Sequence, residues 1–205
     1  MRLGVKSALV DGRIVGGDVS VDDGRVAAVG VSPAGAGGFA VPGFVDVQIN
    51  GFDGVDFTTA GPDDYEHVAQ KLSATGVTAF QPTLISLPSA DYLRVLRQTR
   101  TMSIPSARVI GIHLEGPFLA PLRCGAHDPE NMVNPDKTLA KQFLEAGPFT
   151  YATVAPELPG ALDLIEYLTG AGVVVALGHT DADAATAHAA FDRGARSVTH
   201  IFGAQ

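Results

Sequence analysis

Three short segments place a metal-type ligand at the end of an apolar run. They are Gly-Ile-His-Leu-Glu-Gly-Pro, which carries Glu115, Val-Ala-Leu-Gly-His-Thr, which carries His179, and Val-Thr-His-Ile-Phe, which carries His200. One carboxylate and two imidazoles are hard and borderline donors that suit zinc or another divalent first-row ion. An ion held by three protein ligands keeps a coordination position for water and lowers the pKa of that water, which suits hydrolysis of an amide or ester. Taken singly, each residue has a plain structural explanation. A glutamate before Gly-Pro serves as a loop charge, a histidine before Thr180 and Asp181 opens a helix, and a histidine on an apolar strand sits satisfied in a core. The recurrence at three strand ends is what favours a shared site.

The elements that must position these residues follow a regular alternation from Val41 onward. Apolar, strand-like runs lie at 43–49, 77–84, 109–114, 151–155, 173–177 and 197–201, and amphipathic helical stretches at 62–75, 89–101, 136–146, 160–171 and 181–193. Ser89, Asp136 and Asp181 stand where helix caps are expected. Gly76, Gly147, Gly172 and Gly194 stand where helices stop. Strands that alternate with helices pair in parallel, and runs apolar on both faces belong to a sheet covered on both sides. A doubly wound sheet and a barrel both satisfy this pattern. Ligands at the ends of several different strands favour the barrel, and no glycine-rich dinucleotide fingerprint follows the first run. Six runs fall short of a closed (β/α)8 barrel, and residues 42–205 fall short of its ~250. The expected fold class is α/β, a barrel incomplete at about six βα units.

Residues 1–41 form the other expected domain, a small β segment with a linker. Asp-Gly pairs within 10–13 and 22–25 lie between apolar runs, a strong hairpin signal. The stretch 32–38, Ser-Pro-Ala-Gly-Ala-Gly-Gly, has the composition of a flexible loop.

The chain has 205 residues, 46% of them apolar, enough for a sizeable core. Its net charge of −8 argues against a nucleic-acid surface. No run is long enough for a membrane helix, and the start lacks the pattern of a signal peptide. A single cysteine, Cys124, excludes an internal disulfide and fits a reducing, cytoplasmic location.

Six segments occur in an informative order. They are Pro-Gly-Phe-Val-Asp-Val-Gln-Ile-Asn-Gly (42–51), His-Leu-Glu-Gly-Pro-Phe-Leu (113–119), Gly-Ala-His-Asp-Pro (125–129), Ala-Pro-Glu (155–157), Gly-His-Thr (178–180) and Thr-His-Ile-Phe (199–202). Together they resemble the N-acetylglucosamine-6-phosphate deacetylase family of the amidohydrolase superfamily. The resemblance implies a distorted barrel with a small β domain built from both chain ends, and hydrolysis of N-acetylglucosamine 6-phosphate to acetate and glucosamine 6-phosphate. Glu115, His179 and His200 match the family's metal ligands, and His127 a histidine that contacts substrate. The superfamily's His-x-His is replaced by Gln48-Ile49-Asn50, which implies one metal ion rather than two. Zinc is the first choice, with iron, cobalt or manganese as alternatives. Gln48 stands where it would support the water or the acetamido group, on the same strand face as Asp46. His113 faces the same side of its strand as Glu115, either lining the interior near the metal or buried as a structural residue. Cys124 lies in the loop that the resemblance implies for the active site, and His67 and His188 lie on helices as solvated residues.

The resemblance also implies departures. The family's Asn-Ala-Met continuation, whose backbone helps to hold the sugar phosphate, reads Gly203-Ala204-Gln205 here, so the N–H groups of Gly203 and Ala204 are the expected donors. The general-base aspartate is expected beyond Gln205, so no catalytic residue of that kind is assigned within the chain. The implied partner is a small-molecule amino-sugar phosphate, in a homodimer in the intact family form, with no nucleic acid and no membrane. Three other readings compete: a non-catalytic metal- or sugar-binding remnant, a deacetylase for another N-acetylamino-sugar phosphate, and an amidohydrolase of cyclic amides.

Overall fold

Two Asp-Gly pairs turn the first four strands. β1 (Ser7–Val10) runs antiparallel to β2 (Arg13–Gly16), and β3 (Asp18–Asp22) to β4 (Arg25–Val31). Asp11 and Gly12 have φ of 48° and 74°, and Asp23 and Gly24 of 47° and 70°. Two successive left-handed residues make the type I′ turn, whose twist matches that of its strands. β5 (Phe39–Ala40) lies parallel to β1. The computed structural model describes residues 1–104 and 106–203, and the chain divides into two compact units, Met1–Phe44 and Val45–Gln205.

Composition alone predicts flexibility at 32–38, but the backbone there is tied down. The Lys6 N–H donates to the carbonyls of Gly37 and Gly38 (3.2 and 3.1 Å), and the Gly35 N–H to that of Val5 (2.8 Å). A Cβ on Gly35 would sit 1.9 Å from the Gly4 carbonyl oxygen. Glycine here permits close backbone approach. Asp18, in the same unit, is 2% exposed. Its carboxylate accepts from the Val5 and Val19 N–H groups (3.0 and 2.8 Å) and from Arg2 Nε (2.9 Å). Burial alone would raise its pKa, but these donors outweigh burial and lower it.

The second unit alternates strands and helices. β6 (Phe44–Ile49) leads to a short hairpin of β7 (Gly51–Phe52) and β8 (Val55–Asp56). There follow α1 (Pro62–Ala74), β9 (Val77–Leu84), α2 (Ser89–Thr99), β10 (Arg108–Val109), β11 (Ile112–Glu115), α3 (Lys137–Ala146), β12 (Phe149–Val154), α4 (Ala161–Gly170), β13 (Val174–Leu177), α5 (Ala184–Asp192) and β14 (Ser197–Val198). Strands β9, β11, β12, β13 and β14 pair in parallel in that order, and β6 pairs with β9. The result is an incomplete α/β barrel with six strand positions, as the alternation predicts. Among the described residues, no helix is long and apolar enough to cross a membrane.

The helices cover the sheet with apolar faces at i, i+3, i+4 and i+7 spacing. In α1 these are Tyr65, Val68, Ala69 and Leu72, and in α2 Tyr92, Val95, Leu96 and Thr99. The apolar ones join Phe80, Leu84, Leu114 and Phe143 in one core cluster.

Four local expectations shift. The run 109–114 is broken into β10 and β11 at Gly111, whose φ is 135°. β10 pairs with Ala79 and Phe80, and β11 with Thr83 and Leu84, so the break faces Gln81 and Pro82. Proline has no N–H for the ladder, which therefore has less to lose there. Asp136 caps α3 as expected, but α2 is preceded by Pro88, with Ser89 already inside the helix. Asp183, not Asp181, caps α5, because Asp181 is engaged elsewhere, as described below. The last strand ends at Val198, so His200 lies in the turn beyond it rather than on the strand.

Candidate metal centre

Glu115 is the last residue of β11, and the chain must turn at once to clear the strand end. Gly116 makes that turn at φ 113°, and a Cβ there would lie 2.4 Å from Ser86 Oγ. His179 and His200 are each the second residue past their strands, β13 and β14. Both have left-handed backbones, with φ of 49° and 54°. That conformation costs a non-glycine residue about 1–2 kcal/mol, and such strain concentrates at functional sites.

The two imidazoles converge on one carboxylate oxygen. Glu115 Oε1 lies 3.1 Å from His179 Nε2 and 2.9 Å from His200 Nε2. One ligand atom from each residue lies within 4.8 Å of the others. Atoms ~2.0–2.2 Å from a tetrahedral ion are ~3.3–3.6 Å apart, so small side-chain shifts close this set on one divalent ion. The Glu115 and His179 side chains are buried, while that of His200 is 44% exposed, which leaves one side of the site open to solvent.

Hydrogen bonds on the far ring nitrogens decide what each imidazole can do. His179 Nδ1 lies 2.8 Å from the Arg123 carbonyl oxygen. A carbonyl only accepts, so Nδ1 carries the hydrogen and the neutral ring presents its lone pair at Nε2, towards Glu115. Two acceptors 3.1 Å apart need a positive charge between them. A divalent ion fits that requirement, and so does a proton. His127 is set the other way. Its Nδ1 accepts the Ser86 N–H (3.0 Å), so Nε2 carries the hydrogen, 3.8 Å from Glu115 Oε2. His127 is therefore a donor beside the site rather than a ligand.

Charges follow the same division. Burial would raise the Glu115 pKa, but the His179 hydrogen bond and the neighbouring imidazoles outweigh it and hold it at about 2. Burial lowers His127 to about 4 against the attraction of Glu115, so that ring is neutral at neutral pH. Burial also opposes protonation of His179, yet Glu115 and the Arg123 carbonyl raise its pKa.

Gln48 points into the cluster, where its amide Nε2 donates to Glu115 Oε1 (2.9 Å) and lies 3.5 Å from His200 Nε2. Its partner is thus the ligand carboxylate. Asp46 accepts the Gln48 N–H (3.1 Å), and Asn50 donates to the Thr83 carbonyl (3.3 Å). His113 is fully buried between the hydroxyls of Thr83 (3.2 Å) and Thr153 (2.8 Å), and burial lowers its pKa to about 4. Of its two expected places, it takes the structural one. The Gly203 N–H donates to the His200 carbonyl (2.6 Å), so it is already engaged. Ala204 lies outside the described residues. The Cys124 carbonyl accepts the His127 N–H (3.0 Å). His67 pairs with Asp53 on the surface, and His188 is exposed. Sequence reasoning missed Ser86 and Arg123, which set the two tautomers. Neither falls within a segment of the resemblance, and Arg123 acts through its backbone.

No protein-family model matches the chain, but relatives do. The N-acetylglucosamine-6-phosphate deacetylase of Bos taurus is 42% identical over 176 residues, covering 80% of this chain and 42% of that protein. The protein of the same name from Bacillus subtilis (strain 168) is 30% identical over 209 residues, covering 93% and 53%. The crystal structure of N-acetyl-D-glucosamine-6-phosphate deacetylase from Mycobacterium smegmatis superposes with a TM-score of 0.86 at 36% identity, covering 98% of this chain and 55% of that one. A mutant of that protein, in complex with N-acetyl-D-glucosamine-6-phosphate, matches equally well. The chain spans about half the length of the curated relatives it matches. Over that length, it is a relative of proteins named N-acetylglucosamine-6-phosphate deacetylase.

Proposed function

We propose that the protein hydrolyses the acetamide of N-acetylglucosamine 6-phosphate to acetate and glucosamine 6-phosphate, with one divalent ion held by Glu115, His179 and His200. The observation that carries this reading is the buried carboxylate of Glu115 facing the lone-pair nitrogen of His179, 3.1 Å away, in a barrel similar to those of deacetylases of that substrate. A divalent ion there supplies Lewis acidity, which polarises an amide carbonyl and lowers the pKa of a water. Zinc is our first assignment, and iron, cobalt and manganese suit the same donors.

The chain's own residues then divide the work. The Gln48 amide holds Glu115 Oε1 in place. His127, neutral and protonated at Nε2, donates to the substrate from the buried side. The backbone at 203–204 receives the phosphate once the Gly203 N–H leaves the His200 carbonyl. Asp181 is held by Arg123 and Asp183 caps a helix, so neither takes the proton from water. We assign that role to no residue of this chain; an aspartate is what the resemblance implies for it. The single cysteine fits a reducing compartment, and we place the protein in the cytoplasm as a homodimer.

The test is acetate release by the full-length protein, with and without a chelator. N-acetylglucosamine 6-phosphate should be turned over, chelation should abolish turnover, and zinc should restore it. Turnover that survives complete metal removal would refute the mechanism. Faster release from N-acetylgalactosamine 6-phosphate or unphosphorylated N-acetylglucosamine would refute the substrate assignment. Light scattering on the eluting protein tests the dimer.

A further inference from the structure

Glu157, in the Ala-Pro-Glu segment, has no part in the chemistry above, yet both of its oxygens are occupied. Oε2 accepts from Thr180 Oγ1 (2.5 Å) and Oε1 from the Asp181 N–H (2.6 Å). Thr180 and Asp181 are the two residues after His179. From the other side, the turn Pro121–Arg123 and the residue before it grip the same segment. The Ala120 N–H donates to the His179 carbonyl (3.0 Å), and His179 Nδ1–H donates to the Arg123 carbonyl (2.8 Å). Arg123 Nε and Nη2 both donate to Asp181 Oδ1 (3.0 and 2.5 Å). The segment between these two grips contains a left-handed histidine, a conformation that persists only where the surroundings over-determine it.

We propose that Glu157 and Arg123 are positioning residues. Together they hold segment 179–181 so that His179 keeps its left-handed backbone and its Nδ1–H on the Arg123 carbonyl, with Nε2 left as a preorganised lone pair for the ion. This rests on the metal reading above. The two contributions are unequal. The Arg123–Asp181 pair is exposed, at 43% and 52%, and exposed pairs hold weakly. The Glu157 carboxylate takes a backbone N–H and a hydroxyl in charge-assisted bonds, which are the stronger kind. Neither residue's side chain is among the ligands, so each acts through His179.

The experiment measures zinc affinity by competition with a chromophoric chelator, alongside thermal melts of the metal-free protein. The full-length parent is compared with Glu157→Ala, Glu157→Gln and Arg123→Ala. Glutamine is the rescue variant, because its carbonyl can accept the Asp181 N–H while its amide donates to the Thr180 hydroxyl. Glu157→Ala should weaken zinc binding ~10-fold, the low end of the effect of losing a group bonded directly to a ligand, because Glu157 acts through the segment that holds one. Glu157→Gln should recover most of that loss, and Arg123→Ala should cost less than ~5-fold. A Glu157→Ala protein that melts earlier yet binds zinc as tightly as the parent overturns the proposal, since Glu157 would then support the fold alone. If Glu157→Ala does not fold, Thr180→Val decides. It keeps the carboxylate and deletes the hydroxyl, which also accepts the Ala182 N–H (3.0 Å), and unchanged zinc affinity there also overturns the proposal. A parent that binds no zinc defeats the metal reading itself, an outcome distinct from equal binding by parent and variant.

Discussion

Among the described residues, Asp18 and Glu115 are the buried carboxylates of their two units, and their partners differ in kind. Asp18 is met by two backbone N–H groups and a guanidinium, which can only donate. Glu115 is met by one amide N–H and by imidazole nitrogens, and the hydrogen of His179 is already committed to the Arg123 carbonyl. A carboxylate matched to fixed donors is complete. One matched to a nitrogen lone pair calls for a cation. Both groups have lowered pKa values, so neither burial nor the direction of the shift separates the structural acid from the chemical one. The donor and acceptor inventory of the partners does.

Removing one charge from each cluster is the strongest way to break this contrast. Glu115→Gln should cost more than ~100-fold in zinc affinity, beyond the range of changes one step from a metal, whereas Asp18→Asn should leave zinc affinity at the parental value. Competition titration reads both, and a comparable loss in Asp18→Asn would erase the distinction. His127→Asn keeps an acceptor for the Ser86 N–H but removes the Nε2–H. It should lower kcat/KM for acetate release by ~10²-fold or more without changing zinc affinity. A parallel loss of zinc would make His127 a ligand instead of a donor. Gln48→Ala removes a hydrogen bond to a charged acceptor and should weaken zinc by ~10-fold.

The smallest expected effect concerns acid. The folded pKa of Asp18 lies below the ordinary 3.8. Asp18 therefore contributes stability that is fully present above that ordinary value and is lost as pH falls through the lowered one. Urea midpoints between neutral pH and pH ~2 should fall more steeply for the parent than for Asp18→Asn. Asp18→Asn should start lower at neutral pH, and an acid limb as steep as the parent's would show that Asp18 is not the group responsible.

Where sequence reasoning succeeded, the deciding interactions were short-range. The I′ turns at Asp11-Gly12 and Asp23-Gly24 need only two adjacent residues that tolerate positive φ. The faces of α1 and α2 follow from spacing, and Asp136 caps a helix by bonding to N–H groups two and three residues on. Where it failed, a distant contact had intervened. Glycines at 35–38 look flexible until residues 4–6 pack against them. Asp181 looks like a cap until Glu157 takes its N–H and Arg123 its carboxylate. The Val109 run looks continuous until Thr150 and the Pro82 stretch of β9 are set beside it.

The sequence by itself determined the donor types at the candidate centre. It put a glutamate and two histidines at the ends of three apolar runs, and residue identity there needs no fold to be read. Only the tertiary structure decided that these residues share one oxygen, that His179 offers Nε2 while His127 keeps a hydrogen there, and that Gln48 serves the carboxylate. The physical reason is that a histidine's tautomer is set by whatever its far nitrogen meets. For His179 that is a carbonyl 56 residues away, and for His127 an N–H 41 residues away. No local pattern carries such a contact, because loop docking alone brings it about.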